Sequence, residues 1–273
     1  MTKQQKFWIT QEHKRFAEFC DACRQDHSIG LCYGIPGVGK TVSARRYAHW
    51  EQIAPCLDHF PDEGKAIIPQ LAPRHLLTML YTPNVVHTPQ RVRNQIRELR
   101  GTLMSYRFYH LERLYPAETF QQRNQHLRQS ELLIVDEADR LTTYGFEEVR
   151  DAYDHFDLAV VFIGMPGIEK RLARYPQLYS RIGFVHPFRP LSEAQMQPVL
   201  DYHWHKACRQ PFDPQQRSQM EARATIMAMT RGNFRLMDRL FAQIERVMKI
   251  NRLQMISREV VEVARDGLVV GTV

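Results

Sequence analysis

The amino-acid sequence predicts an α/β fold with a parallel sheet, followed by a small domain built only from helices. Over the first part of the chain, short apolar runs alternate with stretches of helical periodicity, the pattern of a parallel sheet. The run Leu132–Val135 is apolar on both faces, as a central strand requires. From Leu191 onward only helical patterns remain. We therefore predict an N-terminal helical segment packing on the core at 1–27, an α/β core at 28–190 and a helical lid at 191–273.

The individual elements follow from the spacing of apolar residues and from capping residues. Apolar side chains recur at helical spacing between Thr10 and Arg24, which predicts an amphipathic helix. Thr88-Pro89 predicts the start of a long helix, because Thr is a good N-cap and Pro is tolerated in the first turn, where its missing N–H has no helical partner. Pro116 prevents this helix from continuing. The predicted strands are Ser28–Tyr33, Leu76–Thr82, Leu132–Val135, Leu158–Ile163 and Ile182–Val185, and the predicted lid helices lie near 192–208, 215–230, 233–250 and 257–266.

Composition and charge exclude several classes of protein. The chain has 273 residues, 44% of them hydrophobic, and a net charge of +7, which is typical of a globular protein and leaves nucleic acid as a candidate partner. The longest nearly apolar stretch, Leu158–Ile168, is far shorter than the ~20 residues of a membrane span, so we expect no membrane partner. The start lacks a secretory signal and the five cysteines lack a framework spacing, so we expect a cytoplasmic location. Cys20 and Cys23 share an apolar helix face without a second pair, which favours core packing over a zinc site.

A glycine-rich segment after the first predicted strand carries the strongest signal. Residues 34–41 read GIPGVGKT and match G-x-x-x-x-G-K-[ST] in full. The glycines let successive backbone N–H groups face phosphates at the start of a helix, predicted over Thr41–Trp50. Lys40 would hold the β- and γ-phosphates, and the Thr41 hydroxyl would bind Mg²⁺. The predicted ATP-binding residues are Gly34, Ile35, Pro36, Gly37, Val38, Gly39, Lys40, Thr41, Val42 and Asp136.

The strand Leu132–Val135 ends in two acidic residues. An acid at the carboxyl end of a buried parallel strand is where a Walker-B ligand must stand to reach the magnesium ion. We therefore predict that Asp136 holds Mg²⁺, usually through water, and that Glu137 polarises the attacking water. Together with the glycine-rich loop, these residues predict an ATPase with ATP and Mg²⁺ as cofactors.

Two arginines stand in contexts that suit contact with nucleotide phosphates. Arg181 precedes a short strand, from which it could reach the nucleotide of a neighbouring subunit, and Arg171 and Arg174 are alternatives for this role. Arg235 starts a lid helix in the segment 232–235, GNFR. Arginine suits both positions because its planar fork stays charged and can grip two phosphate oxygens. The alternative for each is a surface arginine in a weak ion pair.

The segment between the two phosphate-binding motifs is rich in arginine. Residues 87–130 contain eight arginines and three glutamates, a net charge of +5. Arg93, Arg97 and Arg100 share one face of the predicted long helix, as their spacing requires. Such a row suits sequence-independent contact with DNA phosphates, and a solvated helix face is the alternative.

The segments GIPGVGKT, LLIVDEAD, SRIG and GNFR together resemble an AAA+ ATPase of the initiator and helicase-loader branch. More narrowly, VVFIGMPGIEKRLARYPQLYSRIGFVHPF and TRGNFRLMDRLFAQIERVMKIN resemble the TniB/TnsC-type transposition ATPases, relatives of the phage Mu B protein, and the resemblance covers roughly residues 10–266. It implies an AAA+ P-loop core with a helical lid, Arg181 as the arginine finger and Arg235 as the sensor-2 residue. It also implies that the arginine-rich segment lines the central channel of an assembly.

In that family, ATP-bound subunits form rings or filaments on target DNA, recruit or activate a DDE-type transposase, and come apart on hydrolysis. The resemblance therefore implies sequence-nonspecific binding of double-stranded DNA, a homo-oligomer, a transposase partner and, as a further candidate partner, a target-selection protein. The alternative is a helicase loader or initiator-like ATPase that acts on a protein. Gly164-Met165 stands where many AAA+ proteins carry a polar sensor-1 side chain, which predicts a slow, switch-like ATPase.

Overall fold

The computed structural model describes residues 7–57, 73–127, 130–156 and 158–268. By contacts, the chain divides into two compact units. The sheet unit comprises His13–Gly34 and Lys40–Phe188, and the helical unit comprises the residues up to Glu12, Ile35–Gly39 and the residues from Arg189 onward. The division into three segments made from the sequence remains a prediction.

Five parallel strands form the sheet, in the order β2-β3-β4-β1-β5. They are β1 (Ile29–Tyr33), β2 (Thr78–Tyr81), β3 (Glu131–Val135), β4 (Leu158–Gly164) and β5 (Ile182–Pro187). Every residue of β3 and β4 is buried, which explains why these strands are apolar on both faces except at Glu131, the first residue of β3. Because the strands are parallel, the residues that follow β1, β3 and β4 lie at one edge of the sheet.

Helices supply the rest of the architecture. In chain order they are α1 (Gln11–Gln25), α2 (Lys40–Tyr47), α3 (Trp50–Ile53), α4 (Pro89–Leu114), α5 (Phe120–Leu127), α6 (Thr143–His155), α7 (Ile168–Leu172), α8 (Pro176–Tyr179), α9 (Glu193–Cys208), α10 (Arg217–Thr230), α11 (Phe234–Asn251) and α12 (Arg258–Asp266). The predicted α/β class is confirmed: a parallel sheet is followed by a helical C-terminal part.

The helical unit has its own core and conventional helix ends. Trp204, Phe241 and Ile244 are among the side chains buried between its helices. The side chain of Ser192 accepts a hydrogen bond from Gln195 N and completes a capping box at the start of α9. Side chains also cap α11 and α12, at Asn233 and Ser257.

The helix after the glycine-rich loop is shorter than predicted. It ends at Tyr47, and His49 adopts a left-handed conformation with φ 50° before the separate α3 begins. A left-handed residue interrupts helical hydrogen bonding, and the apolar pattern across 41–50 gave no sign of it. The strand predicted to begin at Leu76 begins two residues later, because residues 73–77 form a 3₁₀ turn.

The cysteines of the chain are not paired in disulfides. Cys20 and Cys23 are buried in the sheet unit, and burial raises the pKa of Cys23 to about 12. They therefore pack as small core residues, and all five cysteines are free thiols. Among the described residues, no helix combines the length and apolar character needed to cross a bilayer.

Candidate nucleotide-binding site

The first residue of the phosphate-binding motif, Gly34, directly follows β1, and its last two residues, Lys40 and Thr41, begin α2. These three residues belong to the sheet unit. A Cβ atom on Gly34 would lie 2.3 Å from the carbonyl oxygen of Phe188, so only glycine fits there. Lys40 is the first residue of α2, and its Nζ donates a hydrogen bond to the Gly34 carbonyl oxygen. Thr41 follows in the first turn, and Val42 is exposed on the same helix.

The two predicted magnesium ligands are neighbours in the sheet unit. Asp136 follows β3 and is 4% exposed, and its carboxylate accepts a hydrogen bond from Glu137 N at 2.9 Å. Burial raises the pKa of Asp136, while the neighbouring Thr41 hydroxyl, Glu137 N and the charge of Lys40 act in the opposite direction. A hydroxyl and a carboxylate are hard oxygen donors, which suits Mg²⁺ bound through few protein ligands, phosphate and water.

Glu137, the predicted catalytic base, has a backbone conformation that is unusual for glutamate. Its φ is 52°, in the left-handed region, which costs a non-glycine residue about 1 kcal/mol. Its carboxylate forms an ion pair with Arg140, and the Arg140 guanidinium also donates to the carbonyl oxygen of Pro83 at 3.1 Å. Arg140 carries no signal in the sequence, because an arginine three residues after an acid is common on any surface.

Gly164, at the end of β4, is closely approached by two side chains. A Cβ atom on Gly164 would lie 2.5 Å from Ile168 Cδ1 and 2.8 Å from the Asp139 carboxylate, so a side chain there would require both neighbours to move. The Asp139 carboxylate instead accepts a hydrogen bond from Met165 N at 2.7 Å. Arg171 donates to the Asp139 carbonyl oxygen at 2.7 Å and fixes the same corner from α7.

The three arginine-finger candidates differ in how they are bound. Arg181 donates to both carboxylate oxygens of Asp154, at 2.8 and 3.1 Å. Arg171 donates to backbone carbonyl groups and lies 5.1 Å from the ring centroid of Phe146. Arg174 is exposed, and its side chain has no hydrogen bond or ion pair to any residue that the structure describes. The role assigned to Arg181 remains a prediction, and it requires exchange of the Asp154 contact.

In the helical unit, the loop 35–39 lies against the start of α11. Gly37 and Gly39 have φ of 84° and 109°, values that favour glycine. Asn233 caps α11 by accepting from Leu236 N at 3.1 Å, and its amide donates to the Pro36 carbonyl oxygen at 2.7 Å. Arg235 is exposed, and its backbone nitrogen donates to the Gly37 carbonyl oxygen at 3.2 Å. The predicted sensor-2 arginine is therefore next to the phosphate-binding loop.

Asn233, in the segment GNFR, makes two side-chain hydrogen bonds that were not predicted from the sequence. Its position before an apolar helix was a recognisable capping signal. Its second hydrogen bond, to Pro36, joins residues far apart in the chain and has no sequence signature. Gly232, with φ 76°, is required beside it because a Cβ atom there would lie 2.1 Å from the Leu191 carbonyl oxygen.

The predicted DNA-binding row on α4 is largely engaged within the sheet unit. Arg93 donates to both carboxylate oxygens of Glu148, at 2.6 and 2.9 Å. Arg100 donates to Glu131 at 2.6 Å and lies 4.5 Å from the ring centroid of Phe156. Arg97 is exposed and lines a small pocket with residues of α6. DNA contact by these three residues remains a prediction, and acidic partners now offset two of the three charges.

One further arginine of this segment is buried. Arg107 is 2% exposed and forms an ion pair with Glu131 at 3.3 Å. Arg128, which contributes to the +5 charge of the segment, lies outside the described residues. The segment therefore offers fewer available charges than its composition suggests.

Comparison with known proteins identifies related chains and folds. A family model described as "AAA domain" matches residues 23–172. A Staphylococcus aureus protein named "Potential ATP-binding protein" is 43% identical over 278 residues, which cover 99% of each chain. The Aeropyrum pernix ORC1 protein, solved in complex with DNA, is 20% identical with a TM-score of 0.55, over 94% of this chain and 64% of that one. The Thermotoga maritima RuvB Holliday junction branch migration motor is 14% identical with a TM-score of 0.54, over 95% and 70%. The chain thus spans less than two thirds of the ORC1 chain that it matches.

Proposed function

This chain belongs to the AAA domain family and is an ATPase, and on that premise we propose that it is an ATP-dependent, sequence-nonspecific DNA-binding regulator of transposition. In this proposal, ATP-bound subunits assemble on target DNA and recruit or activate a DDE-type transposase, and hydrolysis drives disassembly. The observation that carries the nucleotide part is that the Thr41 hydroxyl neighbours the buried Asp136 carboxylate, so the two predicted magnesium ligands lie together beside Lys40.

The residues around the glycine-rich loop have separate tasks in this proposal. Lys40 neutralises the β- and γ-phosphates, and the loop N–H groups bind phosphate oxygens. Thr41 and Asp136 would hold Mg²⁺, which supplies charge neutralisation when bound. Glu137 orients a water molecule and accepts its proton. Arg235, from the start of α11, contacts the phosphates as the sensor-2 residue, and Arg181 acts on the nucleotide of a neighbouring subunit.

Two contacts support a slow, switch-like ATPase. The carboxylate of Glu137 forms an ion pair with Arg140, which competes with water for the carboxylate oxygens. The Asp139 carboxylate accepts a hydrogen bond from Met165 N at the end of β4, where Gly164 supplies no polar side chain. Acidic groups held in this way suit a slow switch better than a fast motor.

The DNA and transposase parts rest on other observations. The segments covering 160–188 and 230–251 carry the resemblance to TniB/TnsC-type ATPases. The net charge of +7 favours a polyanionic partner. The similar fold of ORC1, solved with DNA, is compatible with the same kind of partner. We propose a homo-oligomer, ring or filament, as the active form, and the cytoplasm, in keeping with five free thiols, as its location.

A second candidate is an initiator-like or helicase-loader ATPase. The similarity to ORC1 favours it, because that fold match extends over 94% of this chain. Both functions use the same nucleotide site, so they differ in the partner that the ATP-bound form engages. A transposase reading frame beside the gene would favour the first function over the second.

The deciding experiment measures transposase activity directly. The purified chain, random-sequence duplex and the transposase encoded nearby are combined with ATP, and strand-transfer products are counted. We expect ATP-dependent stimulation that Lys40→Ala abolishes and that Lys170→Ala, which changes an exposed lysine of α7, leaves intact. No stimulation by the wild-type chain, together with ATP-dependent binding to a replicative helicase, would replace the transposition role with the second candidate.

A further inference from the structure

Helix α11 presents a row of cations on the face opposite its buried side. Its buried residues are Met237, Leu240, Phe241, Ile244 and Met248. On the exposed side lie four cations, Arg235, Arg239, Arg246 and Lys249. At about 100° per residue these four project within an arc of about 80°, centred opposite the buried stripe. The cationic face, defined as Arg239, Arg246 and Lys249, therefore points away from the core of the helical unit, and Arg235 continues the same row next to the phosphate-binding loop.

The cations of this face are not neutralised by neighbouring acids. Arg239, Arg246 and Lys249 form no side-chain hydrogen bond or ion pair with the residues that the structure describes. The two acids of α11 are engaged elsewhere: Asp238 lies 3.2 Å from His203, and Glu245 lies 2.8 Å from Lys206. Both partners belong to α9, on the flank of α11.

Several other cations of the protein are paired with acids. In the same unit, Arg217 pairs with Glu221, Arg258 with Glu262 and Arg265 with Asp266. On α4, Arg93 and Arg100 each hold a carboxylate. Helix α11, by contrast, aligns on one face three cations that have no acidic partner among the residues described by the structure.

The geometry of the face suits a duplex. A helical rise of about 1.5 Å per residue separates Arg239 from Lys249 by about 15 Å. Duplex DNA carries one charge per about 1.7 Å of axis, so a straight row of this length meets several phosphates. Long cationic side chains on a convex helix, with no Asn or Gln among them, suit phosphate contact rather than base readout.

We propose that the cationic face of α11 binds the phosphate backbone of double-stranded DNA. This inference rests on the proposed DNA-binding function and assigns it to residues of the helical unit, independently of the arginines on α4. An acidic protein segment is the competing occupant, and the test separates the two.

The test compares two variants with the same change in net charge. The first combines Arg239→Gln, Arg246→Gln and Lys249→Gln; Arg235 is left unchanged because it is assigned to the nucleotide. The matched control combines Arg217→Gln, Arg258→Gln and Arg265→Gln, which removes three cations of the same unit that already have acidic partners. Affinity for random-sequence duplexes is measured against salt concentration with a non-hydrolysable ATP analogue. Retention of nucleotide binding and of Tm shows that each variant is folded.

We expect the face variant to lower the slope of log affinity against log salt by about 0.9 for each phosphate that is no longer neutralised, hence by about 2.7 for three phosphates. At 0.1 M salt its binding should weaken roughly eightfold for each of these phosphates. The control should match the wild type, and Arg239→Lys with Arg246→Lys should retain the slope because the charge is kept.

Equal slopes for the face variant and the wild type would overturn the proposal and favour an acidic protein as occupant. An equal weakening in both triple variants would also overturn it, since net charge alone would then explain binding. A wild-type chain that binds no duplex would instead refute the DNA-binding function itself.

Discussion

The Asn233 side chain makes two hydrogen bonds, and Asn233→Asp keeps one of them and removes the other. A carboxylate still accepts from Leu236 N and caps α11, but it cannot donate to the Pro36 carbonyl oxygen, now 2.7 Å away. Loss of this neutral hydrogen bond costs about 1 kcal/mol. A change of about 1.4 kcal/mol is tenfold in an equilibrium constant, so nucleotide affinity should fall about fivefold if the bond holds the phosphate-binding loop in its binding conformation. The change is measured by titration with a fluorescent ATP analogue.

Two further variants calibrate this result. Asn233→Ala removes both hydrogen bonds and should lower the free energy of unfolding by about 2 kcal/mol, half of it from the cap. Ser257→Ala removes only a cap, that of α12, and should cost about 1 kcal/mol with nucleotide affinity unchanged. Urea unfolding gives the stabilities. If Asn233→Asp binds the analogue as tightly as the wild type, the hydrogen bond to Pro36 does not organise the loop and the reasoning fails.

Three other predictions concern the nucleotide site. Lys40→Ala should abolish ATP binding, whereas Glu137→Gln should bind ATP and stall hydrolysis in the assembled state; turnover of Glu137→Gln at the wild-type rate would remove Glu137 as the base. Arg181→Ala should bind nucleotide yet hydrolyse it poorly, and mixing it with Glu137→Gln should restore some activity; no recovery in verified mixed complexes would make Arg174 the next candidate. Asp136→Asn should stabilise the nucleotide-free protein at neutral pH, because burial raises the pKa of Asp136 and so disfavours its charged form in the folded state. This gain should vanish below the unfolded carboxyl pKa of about 4, grow as pH rises from there toward the folded pKa, and level off above the folded pKa; a gain in Tm that does not change with pH would contradict the cause assigned.

Much of the fold could be predicted because local signals agree with the tertiary structure. The strands β3 and β4 are buried on both faces and, apart from Glu131 at the start of β3, are apolar, a pattern that a short window of sequence shows. The start of α4 carries its own cap, with the Thr88 hydroxyl accepting from Arg91 N at 3.2 Å. The left-handed His49, which follows the early end of α2, belongs to no such pattern.

The candidate nucleotide-binding site also contains residues that the sequence indicates and residues that only the structure reveals. Lys40, Thr41 and Asp136 were predictable because catalysis fixes residue type and spacing together in a motif. Arg140 and Asp139 were not, because each acts through a contact with a segment distant in sequence, the carbonyl of Pro83 and the backbone of Met165. Composition alone cannot show which acid an ordinary surface arginine will meet.

The arginines show most clearly why charge in a sequence differs from charge available for binding. Helix α4 has the denser row, yet Glu131 alone accepts from Arg100 at 2.6 Å and pairs with the buried Arg107 at 3.3 Å. Glu131 lies in β3, so the net charge calculated along the α4 sequence does not include it. Helix α11 carries fewer arginines, but its own acids face α9 and leave Arg239 and Arg246 without one. A polyanion binds the cations that remain unpaired after folding, so the sparser row is the stronger candidate for the phosphate backbone.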